Sequence, residues 1–383
     1  MFRSENRREN NRFMTARLIV NPRFAKSEYG PRESAILSEK DFRDAERAIL
    51  AWPEYQATPL VDRPDLAEVA GIGQVRIKYE GTRFAVQSFK ALGPAYAAER
   101  VVAKAKPPVT LTSATSGNHG RAVAWAARRL GVACRIYMNE GVSPGRAQAI
   151  EAFGATVLRV PGTYDDALAR CHDDAEKDGS YVISDVAQAA YPDVPAHTMH
   201  GYAMLGQELA DGAADATHVF VGAGIGALAG AVVARLWQRL GAKRPRVVIV
   251  EPLTADAVYQ SAAHGRLSRT DGSMHTVMDG LSVGTASHLA WEILDGGAFG
   301  FLGIPDPPAV AAMRLAHRDA QRRRILGIGA GDRAQDRRGV GDAAGHRADM
   351  IQGFGERKDA VAADPSPGRL DTGQPGASGR KAN

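Results

Sequence analysis

The apolar positions of this chain recur with two periods, and the two periods alternate along the sequence. Short apolar runs, typical of buried strands, are separated by longer segments in which apolar residues return every three or four positions. Repeated strand–helix units of this kind predict an α/β fold with a parallel sheet covered by helices on both faces. The pattern predicts strands over 74–79, 109–112, 133–138, 156–160, 181–184, 218–221 and 246–250, and helices over 38–52, 94–102, 121–130, 143–153, 165–178, 200–210 and 231–240.

The two ends of the chain lack this pattern. Residues 1–15 are polar and rich in arginine, and patterned sequence begins only near Met14, which is an alternative start of the protein. After Ala316, arginine, aspartate, glycine and alanine dominate without a strand or helix period. Such segments cannot bury enough apolar surface to fold alone, so we expect 1–15 and 317–383 to be disordered.

Composition narrows the class of protein. Hydrophobic residues make up 44% and charged residues 24% of the 383 residues, as in ordinary globular proteins. No apolar run approaches ~20 residues and the polar start does not resemble a secretory signal, so we expect neither a membrane span nor export. The net charge of +5 comes largely from arginines near the two ends, which argues against nucleic-acid binding. Cys134 and Cys171 are the only cysteines, which suits a reducing cytoplasm and excludes a Cys-based zinc site.

Lys90 is the first candidate for chemistry. It follows Ser88 and Phe89 in an apolar segment and stands directly before a predicted helix. Burial lowers the pKa of an ammonium toward the neutral amine, which can attack a carbonyl. One interpretation is therefore a lysine that forms a Schiff base. The alternative is a lysine whose methylene stem passes over apolar neighbours while its ammonium reaches water.

The segment 113–120 is the second candidate, and it reads Ser-Ala-Thr-Ser-Gly-Asn-His-Gly between a strand and a helix. Ser116, Gly117 and the N–H groups at the helix start can hold a carboxylate, and Asn118 can hydrogen-bond a phenolate oxygen. A plain N-cap would need only one of these residues, and His119 taken alone favours a structural role. Asp185 ends a later strand, at the edge where such sheets bind ligands. Its carboxylate can serve as a general base, and the alternative is a simple helix or turn cap.

The third candidate is the glycine-rich segment 222–230, again between a strand and a helix. Its glycines let backbone N–H groups approach a phosphate at a helix N-terminus, although close helix–strand packing would need the same glycines. Gly222, Gly224 and Ala227 also match G-x-G-x-x-A, and Glu251 ends the next strand as a ribose ligand would. An NAD-dependent dehydrogenase is therefore a competing hypothesis, which leaves Lys90 and the segment 113–120 unexplained.

The order of these motifs, S-F-K-A-L-G, then T-S-G-N-H-G, then a glycine-rich loop, resembles the pyridoxal-phosphate (PLP) enzymes of the tryptophan-synthase-β-like fold, known as fold type II. Within that fold the chain is most similar to the diaminopropionate ammonia-lyases, over residues 17–314. The matching stretches are 83–84, 88–93, 117–127, 136–138, 164–166, 201–202, 250–252 and 280–281.

The resemblance implies a two-domain α/β enzyme with parallel and mixed sheets. A large cofactor-binding domain would comprise 16–115 and 217–316, and a smaller α/β domain 116–216. The implied reaction is α,β-elimination of 2,3-diaminopropionate to pyruvate and ammonia, carried out by a cytoplasmic homodimer with PLP as cofactor and a small amino acid as substrate. Neither a metal nor a membrane or nucleic-acid partner is implied.

The resemblance also assigns roles to individual residues. Lys90 would bind the cofactor covalently and later move the Cα proton, with Asp185 and Ser116 as further catalytic candidates. The substrate carboxylate would be bound by the segment that contains Thr115, Ser116, Gly117 and His119. The residues expected to contact the cofactor are Lys90, Phe89, Asn118, Gly222, Ala223, Gly224, Ile225 and Gly226.

The chain departs from the family pattern in three places. Ser116 stands where the family usually has an acidic residue thought to act as a base on the D-isomer, which makes a serine/threonine dehydratase the alternative within the fold. The segment 186–190 also differs. After Ala316 we find neither the family's Gly/Ser-rich loop nor its late strand that supports the pyridine nitrogen. We hypothesise that a frameshift in a GC-rich reading frame replaced this part, which would weaken cofactor binding or leave an inactive remnant.

Overall fold

The computed structural model describes residues 15–184 and 193–325. Asp185, the segment 186–190 and most of the predicted disordered ends therefore lie outside the described residues. The strands are β1 (Arg17–Val20), β2 (Leu60–Asp62), β3 (Arg76–Lys78), β4 (Thr110–Ala114), β5 (Ala133–Asn139), β6 (Thr156–Val160), β7 (Tyr181–Val182), β8 (His218–Gly222), β9 (Arg246–Pro252) and β10 (Gly300–Ile304). The helices are α1 (Pro31–Ser34), α2 (Glu39–Leu50), α3 (Pro64–Ala70), α4 (Leu92–Val102), α5 (Asn118–Leu130), α6 (Pro144–Glu151), α7 (Tyr164–Asp178), α8 (Asp193–Gly212), α9 (Ala227–Leu240), α10 (Ala257–His264), α11 (His288–Gly297) and α12 (Asp306–Ile325).

The strands form two four-stranded sheets and one small ribbon. In the first sheet the order is β1-β10-β9-β8, in which β8, β9 and β10 are parallel and β1 is antiparallel to β10. The second sheet is entirely parallel, with the order β6-β5-β4-β7. The strands β2 and β3 pair with each other and are antiparallel. Parallel strands require crossover connections, and helices supply most of them here.

Helix boundaries follow from capping residues that the sequence provides. Ser38 caps α2 by accepting a hydrogen bond from the backbone N–H of Asp41 at 3.1 Å. Thr163 and Asp166 form a capping box at the start of α7, and Gly179 ends that helix with φ +73°. These signals are local, and the predicted helix boundaries at these points are confirmed to within two residues.

Helix α8 packs against both α4 and α9 at the centre of the molecule. Two glycines allow α4 and α8 to approach closely. A Cβ on Gly201 would lie 2.5 Å from the carbonyl oxygen of Leu92, and one on Gly93 would lie 2.6 Å from Tyr202 Cε1. Glycine weakens a helix, but here it permits backbone contact between the two helices. This contact places Tyr202 beside the start of α4.

Several elements differ from the prediction. The strands β1 and β10 and the helix α12 were not expected, because β1 is only four residues long and β10 contains two glycines. Helix α12 runs to Ile325, so the pattern break predicted at Ala316 falls inside a helix. Strand β4 pairs with β5 and β7. The predicted domain division, with a boundary after Thr115, stays a prediction.

Among the described residues, no helix combines the length and apolar character needed to cross a bilayer.

Candidate active site

Lys90 lies in a 3-10 turn, Phe89–Ala91, that leads directly into α4. Ser88 caps this turn, because its hydroxyl accepts a hydrogen bond from the backbone N–H of Lys90 at 3.3 Å. The lysine is half-buried, and its Nζ lies 5.8 Å from the centre of the Phe89 ring and 5.7 Å from that of the Tyr202 ring. The amine is thus held beside aromatic surface, on which a planar cofactor can pack.

The segment 113–120 connects the carboxyl end of β4 to the start of α5, as the sequence predicted. Thr115, Ser116 and Gly117 form the turn and are half-buried. The Thr115 hydroxyl accepts a hydrogen bond from the backbone N–H of Gly117 at 3.4 Å. The first N–H groups of α5 point away from the helix and have no intrahelical acceptor, so this turn can bind a carboxylate.

The next two residues of this segment bond within the protein. Asn118 is exposed, and its Oδ1 accepts a hydrogen bond from Arg121 Nη1 at 3.2 Å. His119 Nε2 lies 3.0 Å from the carbonyl oxygen of Ile183, just after β7. His119 therefore joins the segment to the stretch that leads to Asp185. The roles assigned to these residues from the sequence stay predictions.

The glycine loop, Gly222–Gly226, connects β8 to α9. Gly226 has φ +88°, a backbone conformation that residues with a Cβ rarely adopt. A Cβ on Gly224 would lie 3.1 Å from Val283 Cγ2 and 3.3 Å from the carbonyl oxygen of Gly280. Space around this loop is therefore limited, and a residue larger than glycine at position 224 would fill it.

Backbone hydrogen bonds hold the other two residues of the glycine loop. The N–H of Ala223 donates to the carbonyl of Val250 at 2.9 Å, and the carbonyl of Ile225 accepts from the N–H of Ser287 at 2.8 Å. The loop runs into the N-terminus of α9, a helix of 14 residues. Exposed N–H groups and the helix dipole make this end a favourable site for a phosphate.

Helix α8 joins the lysine turn to the glycine loop. The turn Phe89–Ala91 packs against both α5 and α8, and α8 packs against α9. On α8, Tyr202 lies over Lys90, and Met199 contacts the first turns of α9, where a Cβ on Gly230 would lie 2.9 Å from Met199 Cε. The three segments singled out in the sequence thus surround one set of packed helices.

Glu251 does not bind a ribose as the dehydrogenase hypothesis required. Its side chain is almost fully buried, and its carboxylate accepts hydrogen bonds from the N–H groups of Val258 and Tyr259 at 2.9 and 2.7 Å. Burial raises the pKa of Glu251 well above the usual range, although the two N–H donors oppose the shift. Glu251 therefore caps α10, and the NAD-dependent alternative loses its acidic ligand.

Sequence reasoning assigned no role to a buried ion pair beside the lysine turn. The guanidinium of Arg83 is fully buried and pairs with Glu208 of α8 at 2.7 Å. The two residues are 125 positions apart, so no local pattern links them. The only available signal was that Arg83 and the 201–202 stretch belong to the segments that resemble the lyase family.

The residues of this site fit pyridoxal phosphate, and comparison with known proteins identifies the family. Residues 51–324 match the family described as "Pyridoxal-phosphate dependent enzyme". The chain belongs to this family. Membership confirms the predicted PLP cofactor and the fold type II α/β class, and it replaces the dehydrogenase hypothesis.

Individual relatives of this PLP enzyme are similar over most of its length. Diaminopropionate ammonia-lyase of Escherichia coli strain K12 is 34% identical over 282 residues, which cover 68% of this chain and 71% of that protein. Phenylserine dehydratase of Ralstonia pickettii is 29% identical over 262 residues, with 68% and 76% covered. The crystal structure of the Escherichia coli ammonia-lyase in complex with an aminoacrylate-PLP azomethine reaction intermediate superposes with a TM-score of 0.68 and 31% identity, covering 76% of this chain and 77% of that one. The predicted resemblance to diaminopropionate ammonia-lyase is confirmed.

Proposed function

We propose that this PLP enzyme is an ammonia-lyase that acts on 2,3-diaminopropionate. The observation that carries the proposal is Lys90, held just before α4 beside the rings of Phe89 and Tyr202, in a chain 34% identical to diaminopropionate ammonia-lyase over 282 residues. Loss of the Cα proton and the β-amine leaves an enamine. Water converts that enamine to pyruvate, so one diaminopropionate and one water give one pyruvate and two ammonia.

Each segment of the site would have one task. When bound, PLP supplies an electron sink for the bond broken at the substrate Cα. Lys90 would hold the cofactor covalently, and its amine would take the Cα proton. The glycine loop and the start of α9 would bind the phosphate, while Phe89 and Asn118 would contact the ring. The segment 115–119 would bind the substrate carboxylate, with Asp185 near the substrate.

Ser116 supports a second candidate and sets an expectation for stereochemistry. A hydroxyl cannot act as a base at neutral pH as a carboxylate can, so we expect the L-isomer of diaminopropionate to be the substrate rather than the D-isomer. A serine at this position also favours a serine/threonine dehydratase, and the similarity to phenylserine dehydratase supports that alternative.

The test is to measure both products from several amino acids. Purified protein supplied with PLP is incubated with L- and D-2,3-diaminopropionate, L-serine and L-threonine, and keto acid and ammonia are quantified. We expect L-diaminopropionate to react fastest, with two ammonia per pyruvate. Faster turnover of serine or threonine, with one ammonia per keto acid, would instead establish the dehydratase. A folded protein that binds no PLP and turns over none of these amino acids would contradict both.

Three further properties belong to this proposal. We infer a cytoplasmic enzyme, which is consistent with Cys134 and Cys171 being free and buried, and a homodimer. We also infer two domains, each built on one of the four-stranded sheets. Sedimentation velocity would test the oligomeric state, and limited proteolysis near 103–109 and 213–217 would test the domain division.

A further inference from the structure

A buried cluster of charges lies immediately before the lysine turn. The side chain of Arg83 is inaccessible to solvent and forms two forks. One fork joins Nε and Nη2 to the two carboxylate oxygens of Glu80, at 2.9 Å each. The other joins Nη1 and Nη2 to the carboxylate of Glu208, at 2.7 and 2.8 Å. Bidentate pairs of this kind fix both the position and the plane of a guanidinium.

The cluster satisfies the groups that it buries. Arg83 Nη1 also donates to the carbonyl of Gln56 at 3.3 Å, and Nη2 donates to the Thr58 hydroxyl at 3.1 Å. Glu208 accepts a further hydrogen bond from the Tyr55 hydroxyl at 2.7 Å and pairs with Lys78. A buried charge is tolerated only when it is paired and hydrogen-bonded in this way.

The charge states of the pair follow from these contacts. Burial lowers the pKa of Arg83, but the hydrogen bonds to Glu208 and Glu80 outweigh it and raise the pKa overall. Burial raises the pKa of Glu208, and its bonds to Arg83 and Lys78 outweigh that effect and lower the pKa overall. Both groups therefore stay charged over the physiological range of pH.

The backbone between Arg83 and Lys90, which we call the lysine loop (residues 83–90), adopts an unfavourable conformation. Phe84 has φ +48° and Gln87 has φ +58°, a region in which residues with a side chain are uncommon. The N–H of Gln87 donates to the carbonyl of Arg83 at 2.9 Å, and Phe84 stacks on Trp125 with ring centres 4.7 Å apart. Such a conformation persists only when the surrounding structure holds it in place. The Arg83 cluster fixes the first residue of the lysine loop.

The other end of the cluster lies on the helix that also contacts the lysine. Glu208 and Tyr202 are both residues of α8, and the Tyr202 ring centre is 5.7 Å from Lys90 Nζ. The Arg83–Glu208 fork thus ties the start of the lysine loop to α8 about two helical turns from the point where the lysine itself meets that helix.

We propose that Arg83 and Glu208 are positioning residues for Lys90, beyond any contribution to stability. The fork fixes the position of the lysine loop along α8, and this keeps the amine beside the rings of Phe89 and Tyr202. A displacement of about 1 Å at a reacting group costs on the order of 100-fold in rate. The inference rests on the proposed function, since it assigns to the cluster the geometry of that same lysine.

The experiment compares Glu208→Gln and Arg83→Lys with a matched control. Glu208→Gln keeps the shape but loses the charge, and Arg83→Lys keeps the charge but loses the forks. The control is Arg63→Gln, because Arg63 is also buried and also forms a fork, at 2.8 and 2.6 Å, but to Asp65 of α3 rather than to α8.

Two measurements separate positioning from stability. In the PLP-loaded enzyme, we expect Glu208→Gln and Arg83→Lys to lower kcat about 100-fold while KM changes less than about threefold, because the substrate carboxylate is bound elsewhere. In the cofactor-free protein, we expect faster amide hydrogen exchange in peptides covering 84–90, with exchange in α9 unchanged. Arg63→Gln should lower Tm without either effect.

Specific results would overturn the inference. An equal loss of kcat in Arg63→Gln would assign the effect to stability alone, and folded Glu208→Gln protein with unchanged kcat and unchanged exchange would remove the positioning role. Where both primary variants fail to fold, Glu208→Asp keeps the charge but shortens the side chain that forms the same fork, and unchanged exchange at 84–90 in that folded variant would also overturn the inference. Absence of PLP binding in the unmodified protein would contradict the proposed function, while the exchange measurement still decides positioning.

Discussion

The lysine loop and the glycine loop lead into helices that both pack against α8, but the two loops are held by different interactions. The lysine loop is fixed by side chains, above all the two forks of Arg83, and it contains two residues with positive φ. The glycine loop is fixed by backbone hydrogen bonds from Ala223 and to Ile225. A covalent anchor must be oriented, whereas a phosphate needs only close backbone N–H groups. The two loops should therefore respond differently to substitution, pH and loss of single contacts.

The largest effect should come from removing the amine. Lys90→Ala deletes the side chain that we propose as both covalent anchor and proton carrier, so we expect keto-acid formation to fall by at least about 1,000-fold. The glycine loop is untouched, so PLP should still bind reversibly and be removed by gel filtration. Lys104→Ala is the control, because Lys104 is exposed at the far end of the same helical region. Turnover by Lys90→Ala at the rate of the control would contradict the assignment of the lysine.

A pH effect on stability should come from a histidine of α8, the helix that also carries Tyr202 and Glu208. His200 of α8 is 6% exposed and lies 4.0 Å from the carboxylate of Asp41. Burial lowers the pKa of His200 to about 4; Asp41 opposes this shift, and His197 and Arg100 add to it. The folded protein therefore keeps His200 neutral where the unfolded chain, with a pKa of about 6.5, is protonated.

The sign of the pH dependence follows directly. The contribution of His200 is fully present above about pH 6.5 and is lost as pH falls toward 4, up to about 3 kcal/mol in total. Urea unfolding at several pH values measures it. We expect His200→Gln to flatten the curve between these limits, while His264→Gln, at an exposed position, leaves it unchanged. An unaltered slope in His200→Gln would assign the acid sensitivity to other groups.

A smaller effect should follow from one methyl group in the glycine loop. Gly226→Ala places a Cβ at φ +88°, which costs about 1–2 kcal/mol. We expect PLP affinity to fall about tenfold, since 1.4 kcal/mol is a factor of ten. At saturating PLP the covalent attachment at Lys90 should be normal. Gly145→Ala is the control, because a Cβ there meets no atom within 4 Å. Normal PLP affinity in Gly226→Ala would argue against phosphate binding at this loop.

The smallest effects should come from removing the N-caps of helices α2 and α11. Ser38 caps α2 and Ser287 caps α11, where the hydroxyl accepts from the N–H of Ala290 at 3.4 Å. Ser38→Ala and Ser287→Ala should each cost about 1 kcal/mol of unfolding free energy, measured by urea titration. Neither substitution should alter PLP affinity under conditions in which the protein is fully folded. A change in kcat for either variant would show that these caps also affect the active site and not stability alone.

Much of the fold followed from local patterns, because those patterns report local physics. The strand β6 was predicted with the bounds that it has, and the helix after Ser38 with the cap that it has. The strand β10 was missed because Gly300 and Gly303 break the apolar run. They are accepted there because β10 pairs with both β9 and β1, which no local signal reveals.

The site was predictable only where chemistry requires particular residue types in sequence. Lys90 and the glycine loop could be proposed as site residues because an amine in an apolar segment and glycines before a helix are unusual. The Arg83–Glu208 pair and Tyr202 could not, because each acts through a partner far along the chain. Glu251 was misjudged for a related reason: a carboxylate at a strand end caps a helix or binds a ligand, and only the fold shows which.

The central claim is that Lys90 holds the cofactor, and one measurement tests it most directly. The protein is saturated with PLP, reduced with borohydride, digested, and the peptides are analysed by mass spectrometry. We predict a single pyridoxyl adduct, on the peptide that contains Lys90. An adduct on another lysine, or none in folded protein saturated with PLP, would contradict the account.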